Sequence, residues 1–467
     1  MSTVPVGFGR LSADALERLH AAGLELLENV GVDVRDEVAL ELFSREGARV
    51  QGRRVRIPAQ LVERAVATAP GSFTLRGRAD DQSLDVTVCP GSGLFGNGTD
   101  TLYFRDTASG ERRRAVLADV VTIAGACELL PEIDFVMSGV LPADVPLDGI
   151  ELSQFAAMLG ATRKPLVISP ATSGENLPRM LAMAELAGDS HSFAVLGMST
   201  PPLQLDSSCL GKARSCGAAG VPFICAPSDS LGATAPMSPA AAVALGHAET
   251  LAVLVAHQLW SPGAPFVYGV GAGSAFDMRN LVDVWISPEG LLADAASCQL
   301  AHALGLPTWS YAGGCDAKSV DGQLAAELAV TTIVGAQTCA GMYHDLGELE
   351  AGVQSSIESL VLGNEVAGLA RRLLAGFPVD EEALQLDDIE KVGPGGTFLG
   401  RPYTRRHHRD SWRSELFDTS PREQWVAAGA KSFETRLHEA ALELVERCEP
   451  VVDEGTAAGL DEIRRHG

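Results

Sequence analysis

The sequence predicts an α/β fold, a (β/α)8 TIM barrel with an N-terminal helical cap and a C-terminal helical extension. Three observations lead there. From about residue 90 a short β-rich run, a turn and an amphipathic helix recur eight times, the repeat number of that barrel. The runs are continuously apolar, as strands of a parallel sheet are when both faces are covered. Proline stands at the entrance of four runs, at Pro165, Pro222, Pro265 and Pro307, where a missing N–H is tolerated.

Residues 1–90 read as a helical cap with a short hairpin. Leu16, Leu19, Leu26, Leu27 and Val30 recur near helical spacing behind the cap-like Ser12-Ala13-Asp14. Residues 47–58 suggest the hairpin and 58–69 another helix. No chemistry is suggested there, so the cap is structural or forms a subunit interface. The barrel spans 91–376, with strand runs at 93–104, 134–140, 165–170, 193–200, 221–228, 265–272, 307–313 and 342–348. Helices fall between them, including 115–130, 238–259, 287–304 and 323–337. Ser-Pro pairs at 238 and 287 are strong helix starts, with serine as the cap and proline in the first turn. Gly91-Ser-Gly-Leu-Phe-Gly96 has the glycine spacing of a dinucleotide loop, but no long helix follows it at once, which argues against that use. A last barrel helix over 356–374 leads into the extension, 377–467. It carries a Gly-Pro-Gly-Gly run, an Arg- and His-rich stretch at 401–409, Trp412, Trp425 and a closing helix near 435–447.

Composition narrows the function. The 467 residues are 46% hydrophobic and 21% charged, which is globular. A net charge of −24 repels phosphate, so neither nucleic acid nor an anionic membrane is an expected partner. Nine cysteines without CxxC spacing, several inside apolar runs, suit a reducing cytoplasm rather than a disulfide framework. The N-terminus has no basic segment leading into an apolar one, so no signal peptide is expected. The apolar run at 240–259 carries His247, Glu249 and His257, which marks a core helix rather than a membrane span.

Catalytic groups in such a barrel sit at the C-terminal strand ends. The last strand run delivers His344, Asp345, Glu348 and Glu350 within seven residues of otherwise apolar sequence. Burying an unpaired carboxylate costs several kcal/mol, so acids gather at a strand end when something there uses them. Aromatic residues are only 5% of the chain, yet Trp309, Tyr311, Tyr268 and Tyr343 all fall on strands six to eight. Alternation places Trp309 with Tyr311 on one face, and His344 with Glu348 on one face. If these faces point inward, an aromatic wall and an acid share a cavity suited to a quaternary ammonium ion, with cation–π contacts worth roughly 0.5–2 kcal/mol each. The plain alternative is that these rings fill the barrel. Cys315-Asp316 with His344-Asp345 lacks the ligand spacing of a zinc site. Lys318 has the residue type of a Schiff-base lysine but follows Asp316 in a turn, where an ion pair is the simpler role. Asp316 paired with Glu348 would instead suit glycoside hydrolysis, the principal rival chemistry.

Gly347-Glu-Leu-Glu-Ala-Gly352, Asn364-Glu-Val-Ala, Val392-Gly-Pro-Gly-Gly-Thr-Phe-Leu399, Trp425-Val-Ala-Ala-Gly429 and the segment 24–34 together resemble the trimethylamine methyltransferase family of corrinoid-dependent enzymes. The resemblance spans nearly the whole chain. It implies methyl transfer from an amine to the Co(I) of a separate corrinoid protein, the cobalamin being carried by that partner and none bound covalently here. The archaeal trimethylamine enzymes carry pyrrolysine where this chain has Glu348, so the resemblance is to the non-pyrrolysine branch, whose substrates are quaternary amines such as glycine betaine. Glu348 and His344 are then the expected catalytic residues, and Trp309, Tyr311, Tyr268, Tyr343 and Asp316 the substrate-binding ones. Arg279 and Lys318 are the cations expected to hold a betaine carboxylate. A cytoplasmic homo-oligomer is expected. A tertiary-amine methyltransferase, the barrel hydrolase and a non-catalytic quaternary-amine binder are the alternatives.

Overall fold

The computed structural model describes residues 3–4, 11–80, 82–98 and 100–465. At its centre a curled parallel sheet is formed by β1 (Leu94–Asn97), β2 (Leu166–Ile168), β3 (Phe193–Gly197), β4 (Phe223–Cys225), β5 (Phe266–Gly269), β6 (Thr308–Tyr311) and β7 (Met342–Leu346). Their order is β2-β3-β4-β5-β6-β7-β1, so β1 and β2 are the two edges. Seven of the eight expected runs therefore form ladders.

The eighth, at 134–140, lies between the two edges and makes single parallel bridges, Phe135 to Gly96 and Val136 to Leu166. Its backbone bonds both ways: the Val136 N–H donates to Pro165 O at 2.8 Å and the Asp134 N–H to Phe95 O at 2.7 Å. A regular ladder is lost because the Asn97 side chain takes its place. That amide accepts from the Met137 N–H at 2.7 Å and donates to Met137 O at 2.9 Å. Lys164 fastens the chain leading into this segment. Its buried ammonium donates to the carbonyls of Cys127, Leu130 and Ile133 at 2.6–2.7 Å.

Alternation along each strand divides two cores. Phe135, Met137, Val167, Leu196, Ile224, Val267, Trp309 and Met342 face inward and pack on one another. A hairpin, Phe73–Leu75 with Val86–Val88, plugs the lower end of this inner core through Leu75 and Val88. Phe223, Phe266, Tyr268 and Tyr343 face outward onto the surrounding helices.

The N-terminal helix Ala13–Glu25, capped by Ser12, lies against the 22-residue helix Pro239–Trp260. The approach is close enough to need Gly23, because a Cβ there would sit 2.6 Å from the His247 ring. The expected hairpin is Arg49–Gln51 paired with Arg54–Arg56, and the next helix is Ala59–Thr68. Helix Pro239–Trp260 is apolar enough to cross a membrane but is buried without a break from Ala242 to Gln258, so it serves as core. After helix Ile357–Leu374 the chain makes a long excursion and returns as Phe433–Glu446, packed back on that helix.

Replacing Lys164 by Met should remove a charged donor from three buried carbonyls and cost roughly 3 kcal/mol of stability in urea denaturation. A loss below about 1 kcal/mol would show that the lysine does not hold the segment between the edge strands.

Candidate active site at the carboxyl ends of the strands

The inward face that begins with Val267, Trp309 and Met342 opens, at the C-terminal strand ends, into a cavity of about 280 Å³. Trp309 forms its floor. The His344 ring stacks on the indole at 4.4 Å between centroids and 12° between planes. His344 Nδ1 bonds the Asp345 carboxylate, and Asp345 adopts a left-handed backbone with φ of +82°. A non-glycine residue in that region carries strain of order 1–3 kcal/mol, a feature that concentrates at functional sites.

The chain then turns sharply through Gly347, φ +97°, and Glu348 enters a two-residue antiparallel pairing with Ser355. Glu348 lines the cavity while only 2% exposed. Two glycines give it room. A Cβ on Gly98 would overlap the Glu348 carboxylate, and one on Gly352 would lie 3.2 Å from it and 2.9 Å from the Trp285 ring. Gly98 cannot retreat, since its N–H donates to Leu346 O at 3.2 Å and its carbonyl accepts from Gly139 N–H at 3.1 Å.

Trp285 and Tyr311 complete the aromatic wall, their rings 6.2 Å apart. The Tyr311 hydroxyl donates to Gly273 O at 2.8 Å, which ties β6 to the strand Ala272–Asp277 overhead. Asp316 holds the Trp285 loop by accepting from the Trp285 N–H at 3.1 Å and the Ile286 N–H at 3.2 Å. Asp229, beyond β4, also lines the cavity, and neither of its buried carboxylate oxygens has a hydrogen-bond partner. Burial, with repulsion from nearby Glu249, pushes the Asp229 carboxyl up to about 8. Burial likewise raises Glu249 to about 7, although Ser199 and the Leu203 N–H donate to it.

The expected site residues thus divide. Trp309, Tyr311, His344 and Glu348 meet in the cavity. Asp316 stands behind it as the support of the Trp285 loop. Tyr268 and Tyr343 do not reach it, because their places in the alternation turn them outward. The Tyr268 hydroxyl meets His247 Nδ1 at 2.8 Å, and the Tyr343 ring stacks on Phe95 while its hydroxyl donates to Ala336 O at 3.1 Å. Arg279 is exposed on a hairpin and paired with Asp277 at 2.9 Å, and Lys318 is exposed, donating to Asp316 O at 2.5 Å. Neither lines the cavity, and among the described residues no lysine or arginine does. Glu350, the other acid of the strand end, pairs with Arg112 at 2.9 Å and 3.0 Å instead. Trp285 was missed, and a signal for it existed. It stands two residues before the Ser287-Pro288 helix start, where a chain entering a helix must cross the strand ends.

The fold defines the class first. The monomethylamine methyltransferase MtmB of Methanosarcina barkeri superposes with a TM-score of 0.54 over 96% of this chain and 90% of that one, at 12% identity, a likeness of fold alone. The family follows from the sequence itself: the model described as trimethylamine methyltransferase (MTTB) matches residues 6–466, and the chain belongs to that family. A trimethylamine methyltransferase MttB of Desulfitobacterium hafniense (strain DSM 10664 / DCB-2) is 30% identical over 457 residues, 95% of this chain and 90% of that one. A glycine betaine methyltransferase of Desulfitobacterium hafniense (strain Y51) is 31% identical over 434 residues, 89% of this chain and 88% of that one. The trimethylamine methyltransferase MttB of Methanosarcina barkeri is 29% identical over 92% of this chain and 88% of its own.

Because Asp229 and Glu249 hold their protons more tightly folded than unfolded, the folded state carries extra protons between about pH 4 and pH 8. Their contribution to stability therefore falls as pH rises through that window. Asp229→Asn should gain on the parent by roughly 1 kcal/mol per pH unit between pH 5 and pH 8 in urea denaturation. A difference independent of pH would refute the raised Asp229 carboxyl.

Proposed function

We propose that the chain removes a methyl group from a quaternary amine and passes it to the Co(I) of a cognate corrinoid protein, without pyrrolysine, in the cytoplasm. The observation that carries this reading is the cavity itself: Tyr311 and Trp285 present aromatic groups beside Glu348, Trp309 lies at the floor under the stacked His344 ring, and no lysine or arginine is among the described lining residues. An ammonium ion with methyl substituents is attracted to ring faces and to a buried anion alike. At about 280 Å³ the space suits such an ion, and in this reading the corrin ring stays on the partner protein at the mouth. When docked, the corrinoid supplies the nucleophile that takes the methyl group. On the amine the N–CH3 bond breaks, its electron pair stays on nitrogen, and a neutral tertiary amine leaves.

The residues of this chain have three tasks. Trp309 and the Trp285 loop orient the N–CH3 bond toward the mouth, and the closed wall excludes water. Glu348, buried over Gly98, balances the cation on binding. It stands where trimethylamine enzymes of the resembling family carry pyrrolysine, and a quaternary amine needs no such group because its leaving amine is already neutral. The fold that supports this is a closed eight-stranded barrel with 134–140 as its eighth stave, bounded by a cap at 1–90 and an extension at 377–467. The single bridges from Phe135 and Val136 to both edge strands favour that closure.

The lining also points to the substituent. Arg279 and Lys318 lie outside the cavity, so a carboxylate like that of glycine betaine would face Glu348 and Asp345 without a lysine or arginine in the lining. A quaternary amine with an uncharged or hydroxyl-bearing arm fits better.

Demethylation of tetramethylammonium, choline, glycine betaine and trimethylamine with Co(I) cobalamin as acceptor tests this reading. Turnover of the first two well above glycine betaine is expected. A preference for glycine betaine would overturn the inference about the arm, and turnover of trimethylamine alone would overturn the quaternary amine. Trp285→Ala should raise KM about tenfold, in line with one lost cation–π contact, and Glu348→Gln should lower kcat/KM at least tenfold. Unchanged kinetics in Glu348→Gln would remove the carboxylate from its proposed role.

A further inference from the structure

One acid of the cavity wall has no task in the fold. Asp229 heads the short strand Asp229–Leu231, and its N–H donates to Gly271 O at 2.9 Å. Its side chain is only 3% exposed, yet among the described residues neither carboxylate oxygen meets a hydrogen-bond partner. Buried polar groups are almost always bonded, so an orphan in a cavity wall marks a partner that arrives from the cavity. Other polar groups of the lining are already engaged: Ser274 Oγ donates to Asp283 at 3.2 Å, and His344 Nδ1 bonds Asp345.

The fold keeps room for this carboxyl and sets its distance from the aromatic wall. A Cβ on Gly246, in helix Pro239–Trp260, would lie 2.7 Å from Asp229 Oδ2, and one on Gly271 would lie 2.6 Å from it. Gly273 also lines the cavity, and a Cβ there would lie 2.7 Å from the Tyr311 ring. Two residues of extended chain span roughly 6–7 Å. The carboxyl and the wall are thus separated by about the span of a trimethylammonium group with a short arm.

The chemistry of the niche selects the end of that arm. Burial and the nearby Glu249 push Asp229 up to about 8, so at neutral pH it offers one O–H to donate and one carbonyl oxygen to accept. A hydroxyl presents the matching pair. An ammonium arm would bring a second cation to an acid that does not balance it. A carboxylate arm would find no lysine or arginine among the described lining residues. We propose that Asp229 is the specificity-determining residue for the substrate's arm, exchanging hydrogen bonds with a hydroxyl on its second carbon. This rests on the quaternary-amine reading above and adds the group at the far end of the substrate.

Choline and n-propyltrimethylammonium differ only by a hydroxyl in place of a methyl, and their demethylation by the full chain with Co(I) cobalamin tests this. The parent should favour choline at least tenfold in kcat/KM, because the isostere leaves the carboxyl unpaired. Asp229→Ala should cut that preference to about twofold or less, chiefly through KM for choline. Asp229→Asn, which keeps a donor and an acceptor, should retain most of it. A preference that survives in Asp229→Ala overturns the assignment. So does a parent that treats the two compounds alike, or that turns over glycine betaine or (2-aminoethyl)trimethylammonium faster than choline. If Asp229→Ala fails to fold, infrared difference spectra of the parent decide. The carbonyl stretch of a protonated carboxyl should move when choline binds and not when the isostere binds, and a band that stays still overturns the assignment. Failure of the underlying reading is distinct: neither compound, nor tetramethylammonium, is then bound in calorimetry or demethylated, and both inferences fall.

Discussion

Glu348 is buried at the top of the sheet, where it lines the cavity, and much of the local architecture answers that placement. A carboxylate in this position is tolerable only if its neighbours leave room and its charge is compensated. Gly98 and Gly352 make the room, and the backbone bonds of Gly98 keep it from closing. The left-handed turn through Gly347 carries the side chain back over the cavity after β7 has ended. The acid and the aromatic wall thus line one cavity.

The wall is held from behind. Trp309 is locked between the inner core and the His344 ring, so its face needs no further support. Trp285 sits on a loop, and a loop is a poor platform unless its backbone is tied. Asp316 ties it with two N–H bonds and the Tyr311 hydroxyl ties the neighbouring Gly273. Asp316 therefore acts on the cavity through Trp285 and does not line it beside Glu348. Asp229 differs again. It is a wall residue whose charge is suppressed by burial and by Glu249, so below about pH 8 it adds little negative potential to the cavity.

The sequence by itself determined the order of strands and helices. All eight runs fell where the structure places strand or bridged segment, because apolar continuity, proline entrances and Ser-Pro caps are local signals. It also determined that Trp309 and Tyr311 would share a side, because alternation is a property of the strand alone, whereas the alternation expected to run from His344 to Glu348 is broken by the turn through Gly347 after β7 has ended. Tertiary structure decided which side that was. Tyr268 and Tyr343 carry the same residue type on the same sheet, yet face His247 and Phe95 on the helix side, and one residue of register separates them from the cavity. It decided that 134–140 would bridge rather than ladder, since the Asn97 amide reaches Met137 only once the edges have curled together. It also decided that Arg279 and Lys318 stay in solvent. A cation's reach depends on where its loop folds, and that is set by contacts far away in sequence.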